Sequence, residues 1–73
     1  MAKREFTVVI ERDETGMYIA GVPELKGCHT QAASLDELME RAKEAILLCL
    51  EVQGEDVAET HLVGIQRVSI ARI

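Results

Sequence analysis

Between Phe6 and Arg12 the chain alternates: in an extended backbone Phe6, Val8 and Ile10 share one side, and Thr7, Val9 and Glu11 share the other. The segment is rich in β-branched residues, which fit a pleated surface, so it predicts a strand with one mainly apolar face. Asp13-Glu14-Thr15-Gly16 follows as a short polar loop whose glycine can take positive φ. Met17 to Val22 then resumes the strand pattern, and the pair predicts a hairpin. Pro23 removes a ladder donor and Gly27 permits an unusual turn, so the extended run must break over Glu24-Leu25-Lys26. Cys28 to Ala32 reads as a third, short strand.

The period then changes. Ser34-Leu35-Asp36-Glu37 matches a capping box, in which the Ser hydroxyl takes one free helix N–H and Glu37 reaches back to the cap. A helix is predicted from Leu35 to about Gln53, stopped by Gly54, with Asp36 and Glu37 at the positive end of its dipole. Leu35, Leu38, Met39, Ala42, Ile46, Cys49 and Leu50 form its apolar stripe, while Leu47 and Leu48 project among charged neighbours. Glu55 to Thr60 reads as a polar connector, and the Val- and Ile-rich run from Leu62 to Ile73 predicts a final strand over about Arg67 to Arg72. The expected fold is α+β, in the order β-β-β-α-β: a small, antiparallel-rich sheet with one helix packed on one face.

Length and charge narrow the function. Seventy-three residues make a single domain, 1–73, and so short a chain buries only roughly 60% of the surface it exposes unfolded, which makes a partner subunit an expectation. Cys28 and Cys49 form no C-x-x-C or His/Cys spacing and read as packing thiols of a reducing compartment. Met1 to Glu5 carry no apolar signal core, and the longest apolar run, Ala45 to Leu50, falls far short of the roughly 20 residues of a membrane span. A cytoplasmic protein is expected. With a formal net charge of -5 and scattered basic residues, direct nucleic-acid binding is disfavoured. The acidic surface either serves solubility or suits a basic partner.

No arrangement of reactive groups stands out. Glu11, Asp13 and Glu14 are the densest strand-side carboxylates, but an acidic hairpin loop is ordinarily a solvated turn, so a two-metal nuclease is the weakest reading. Cys28 and His29 are adjacent on a strand, so their side chains diverge and cannot form a thiolate dyad. His61 has no companion at a useful spacing, and Tyr18 and Phe6 are too few to stack a nucleic acid. Neither catalysis nor a cofactor is expected.

The run from Gly16-Met17-Tyr18-Ile19 through Val22-Pro23-Glu24-Leu25-Lys26-Gly27-Cys28-His29-Thr30-Gln31, with Ser34-Leu35-Asp36-Glu37 and Lys43-Glu44-Ala45-Ile46, resembles the HicB family of type II antitoxins in its short, UPF0150-like form. The resemblance covers close to half the chain. It departs at Ala32, where the family usually has Gly, and at Leu38, where it usually has Ala. The resemblance implies a shortened ribonuclease H-like sheet and a protein that neutralises a small basic HicA-type toxin, an mRNA-degrading ribonuclease, as a homodimer or homotetramer. It leaves no room after Gly54 for the C-terminal DNA-binding domain of longer members. Steric and electrostatic occlusion is the expected mechanism; a free-standing oligomer of the same fold, without a toxin, is the alternative. Surface chemistry proposes Glu11, Asp13, Glu14, Glu24, Leu25, Glu40, Glu44, Leu47 and Leu48 as partner or oligomer contacts.

Overall fold

The alternating segments pair into one sheet. In the computed structural model, which describes residues 4–54 and 59–72, β1 (Val9–Arg12), β2 (Tyr18–Gly21) and β3 (His29–Ala32) form an antiparallel sheet in the order β1-β2-β3. The strands are shorter than the alternation predicts. Ile10 lies opposite Ala20, and Ala20 opposite Thr30, so these three stand abreast on the face that receives the helix.

The turns explain why the strands stop where they do. The Asp13 carboxylate oxygen Oδ1 accepts the Thr15 N–H at 2.9 Å, the Thr15 hydroxyl at 2.7 Å and the Met17 N–H at 3.0 Å, winding the loop around itself. Gly16 sits there at φ 91°, where a side chain would be strained. After β2 the chain leaves the sheet at Pro23. Continuing the register places Thr7 opposite this proline, and the Glu24 carboxylate takes the Thr7 N–H instead, at 3.0 and 3.2 Å. The bonds Val22 N–H to Cys28 O (3.0 Å), Leu25 N–H to Val22 O (3.0 Å) and Cys28 N–H to Leu25 O (3.1 Å) close a tight loop that drives Leu25 inward.

The helix α1 (Leu35–Gln53) begins and ends where its signals lie. The Ser34 hydroxyl accepts the Glu37 N–H at 3.2 Å, and the Gly54 N–H, at φ 82°, donates to Leu50 O at 2.8 Å. Only half of the capping box forms. Glu37 turns to Arg41, one helical turn on, at 3.4 Å and does not reach back to the cap; at about half exposure this pair contributes little.

The core is small and built around alanines. Ala20, Ala32, Leu38 and Ala42 make one patch, and Val22, Leu25 and Cys28 the other. Phe6, Ala45, Ile46, Cys49 and Leu50 border the second, and Val8 touches both. Helix α1 lies over β3 and β2 but not over β1. Part of the predicted stripe therefore stays in water: Leu35 is 47% and Met39 39% exposed.

The predicted final strand does not form. Every described residue from Glu59 to Arg72 is exposed and neither strand nor helix, while part of the connector, residues 55–58, lies outside the described residues. Val and Ile supply β propensity, but a strand needs a neighbour to satisfy its backbone, and this segment meets none among the described residues. Val63 is fully exposed, and Leu62, Ile65, Val68 and Ile70 are more than half exposed. Each such side chain forgoes about 1.5–3 kcal/mol of burial. The order observed is β-β-β-α, followed by an extended arm.

Leu38 is completely buried at the centre of the helix contact. Leu38→Ala is expected to lower unfolding free energy by about 2–5 kcal/mol, and Leu35→Ala by less than about 1 kcal/mol. Urea titration followed by circular dichroism measures both, and equal losses would show that the helix is seated differently.

Candidate protein-binding surface

A helix of 19 residues resting on two strands presents most of its circumference to solvent, and its sequence decides what each sector carries. The sector farthest from the sheet holds Glu40, Glu44 and Glu51, spaced by four and seven residues and so aligned on one ridge. All three are exposed. Like charges four apart oppose the helix by about 0.2–0.5 kcal/mol. Glu51 adds negative charge to the last turn, which has no basic residue to oppose the dipole there. The ridge thus weakens the helix that carries it.

Leucines flank the ridge on opposite sides. Leu48, 62% exposed, lies on the flank of Glu37 and Arg41, and the Arg41 guanidinium donates to Gln31 O on β3 at 3.2 Å, which fixes that flank over β3. Leu47, 65% exposed, lies on the other flank. There it joins Lys43, Ile46 and Leu50 in lining an open groove of about 430 Å³ whose far wall is Arg4 and Phe6. The two leucines, grouped in the sequence reading, therefore belong to different surfaces.

The remaining residues proposed from the sequence disperse. Glu11 is exposed and alternates with Ile10 and Arg12, so it projects from the sheet face opposite the helix. Glu14 is exposed at the hairpin tip. Asp13 is committed to its own turn: the Thr15 hydroxyl, opposed by desolvation and helped by the Met17, Thr15 and Gly16 backbone donors, holds its carboxyl below the usual value of 3.8. Glu24 is half-buried on Thr7; burial pushes its carboxyl up, but its own N–H, the Thr7 donors and the Arg4 charge prevail and bring it below 4.5. Leu25 is a correction. At 1% exposure it fills the core beside Val22 and Cys28, because the turn after Pro23 folds it inward, and it offers nothing to a partner.

Sequence reasoning missed Glu51 and the groove. The seven-residue spacing from Glu44 would have found the first. The second depends on how far the helix footprint extends, which no local pattern reveals.

The two thiols meet in the core, away from the histidines. Burial, together with a hydrogen bond and charge interaction with Cys49, pushes the Cys28 thiol up to about 12, so it is protonated and inert at neutral pH. His29 is exposed on the strand beside it. Among the described residues no group of three His, Cys, Asp or Glu side chains could hold a metal ion. No helix among them is long and apolar enough to cross a membrane.

Comparison with known proteins places this surface in context. The family described as HicB-like antitoxin of bacterial toxin-antitoxin system matches residues 6–69. A UPF0150 protein of Archaeoglobus fulgidus is 56% identical over 66 residues, 90% of this chain and 94% of the relative. A UPF0150 protein of a Synechocystis species is 49% identical over 71 residues, 96% of this chain and all of the relative. A third, from Thermotoga maritima, is 32% identical over 69 residues, 93% of this chain and 92% of the relative.

Two expectations follow from the titrating groups. A carboxyl lowered on folding contributes stability above its unfolded value and loses that contribution as pH falls, so Glu24→Gln should flatten the loss of stability below pH 4.5. Urea midpoints from pH 3 to 7 measure this; an unchanged acid limb would remove Glu24 from the account. Thiol labelling at pH 8 should leave Cys28 unmodified in the native protein and modify it in urea, whereas rapid native labelling would mean that it is not in the core.

Proposed function

This chain belongs to the HicB-like antitoxin family, and we propose that it neutralises a small basic HicA-type toxin by covering the toxin's RNA-binding face. Covering needs no reacting group, so the protein acts as a binder and not as an enzyme. The observation that carries this reading is the ridge of Glu40, Glu44 and Glu51, kept on a helix that it destabilises. A basic partner relieves that repulsion, and Leu48 beside the ridge supplies apolar area to bury. An RNA-binding face is rich in Lys and Arg, because it must neutralise phosphates. An acidic surface set on it competes with RNA by charge and by bulk.

Glu11 and Glu14 add negative charge at the hairpin and speed encounter with a basic protein without having to sit in the final contact. The working unit is a homodimer or homotetramer acting in the cytoplasm, which presents several ridges at once. Direct binding to nucleic acid has no part in this reading, since the net charge is -5.

The test mixes the purified chain with a small basic HicA-type ribonuclease, sought first in the neighbouring reading frame, and follows RNA cleavage. The chain should abolish cleavage at equimolar ratio. Glu40→Lys with Glu44→Lys should weaken the complex by at least about tenfold and reduce its salt dependence. Absence of both complex and inhibition would remove the toxin-covering reading and leave a free-standing oligomer of this fold.

A further inference from the structure

Two apolar surfaces stand open among the described residues. One is the arm from Leu62 to Arg72, whose large aliphatic side chains all stand in water. The other is the groove between Phe6 and the helix flank at Leu47; Ile10, on the helix side of β1, and Met39 on the helix are also partly exposed. Among the described residues no strand pairs with the outer edge of β1, and Phe6, which walls the groove, lies three residues before β1 begins.

We infer that the arm of one chain docks on a second copy, as a strand along the outer edge of β1, with Val68 and Ile70 filling the groove beneath Leu47. The arm alternates correctly for this task. In an extended backbone Val68 and Ile70 share one face, and Arg67, Ser69 and Ala71 share the other. An added strand that turns Val68 and Ile70 toward the helix side turns Arg67 toward the open face of the sheet, where Glu11 projects from β1. Apolar surface then meets apolar surface, and the basic residue lies on the face of the acidic one.

The occupant is a second copy, and not the chain's own arm, for two reasons. The radius of gyration is 14.3 Å, against about 11 Å for a compact chain of this length, because the arm extends away from the body formed by the sheet and the helix. An extended arm and an open groove on the same molecule are the two halves of a reciprocal exchange. A two-fold axis satisfies both at once, and each copy gains the strand that it gives. The arm is also part of the shared domain: the family match runs to residue 69, and the match with the Synechocystis relative covers 96% of the chain.

The inference does not depend on the toxin, and its test contains none. Chains labelled with ¹³C are mixed with equal amounts of unlabelled chains, and isotope-filtered NMR looks for contacts from the Val68 and Ile70 methyls to the Phe6 ring between chains. Sedimentation gives the mass. A two-chain species with between-chain contacts is the expected result. Ile70→Asp and Leu47→Asp should each weaken the dimer by at least about tenfold with helical circular dichroism retained, while Leu48→Asp, on the opposite flank, changes it by less than about threefold. A monomer, arm contacts confined to one chain, or a dimer without contact between arm and Phe6 would overturn the inference. The filtered experiment on the unaltered chain decides even if a variant fails to fold.

Discussion

The structure depends on a contact between alanines. Ala42 on the helix meets Ala20 and Ala32 on β2 and β3, and small side chains at these positions let the helix settle close to the sheet around Leu38. Close approach packs this region well but limits how much apolar surface it can remove from water. A helix seated over β2 and β3 also leaves β1 uncovered. The exposed flank at Met39 and Leu47 and the groove against Phe6 follow from that placement. The chain contains more aliphatic side chains than its own core can receive, and the excess is gathered in particular places.

Those places divide the molecule's work. The flank of the helix beside β1 is apolar and suits completion of the fold by another strand. The outermost ridge is acidic and suits a soluble, basic protein. Leu47 belongs to the first and Leu48 to the second, although they are neighbours in sequence, because successive residues on a helix point about 100° apart. The buried Cys28 and the self-occupied Asp13 are structural, and much of the described outer surface is charge and aliphatic area.

Much of this was legible in the residues. The three strands, though shorter than the alternation predicts, the helix bounds, the Ser34 half of the cap and the stop at Gly54 each rest on short-range chemistry that a few residues specify, and they form. The family resemblance along Gly16 to Gln31 and through the helix start holds over most of the chain. What local pattern could not reveal was how elements meet. Glu37 has two partners within reach and takes Arg41 over the cap. Leu25 looks like a loop side chain until the turn after Pro23 folds it inward. The alternation from Leu62 onward predicts a strand, but a strand is a property of a pair, and the segment pairs with nothing among the described residues.

The central claim is that this fold is complete only when its excess apolar surface is covered by another polypeptide. Hydrogen exchange along residues 65–72 tests it most directly, because an arm paired into a sheet protects its amides and a free arm does not. The account requires protection of at least about a hundredfold over the unfolded rate, strengthening as protein concentration rises. Exchange at the unfolded rate at every concentration, with β2 and the helix fully protected, would contradict it.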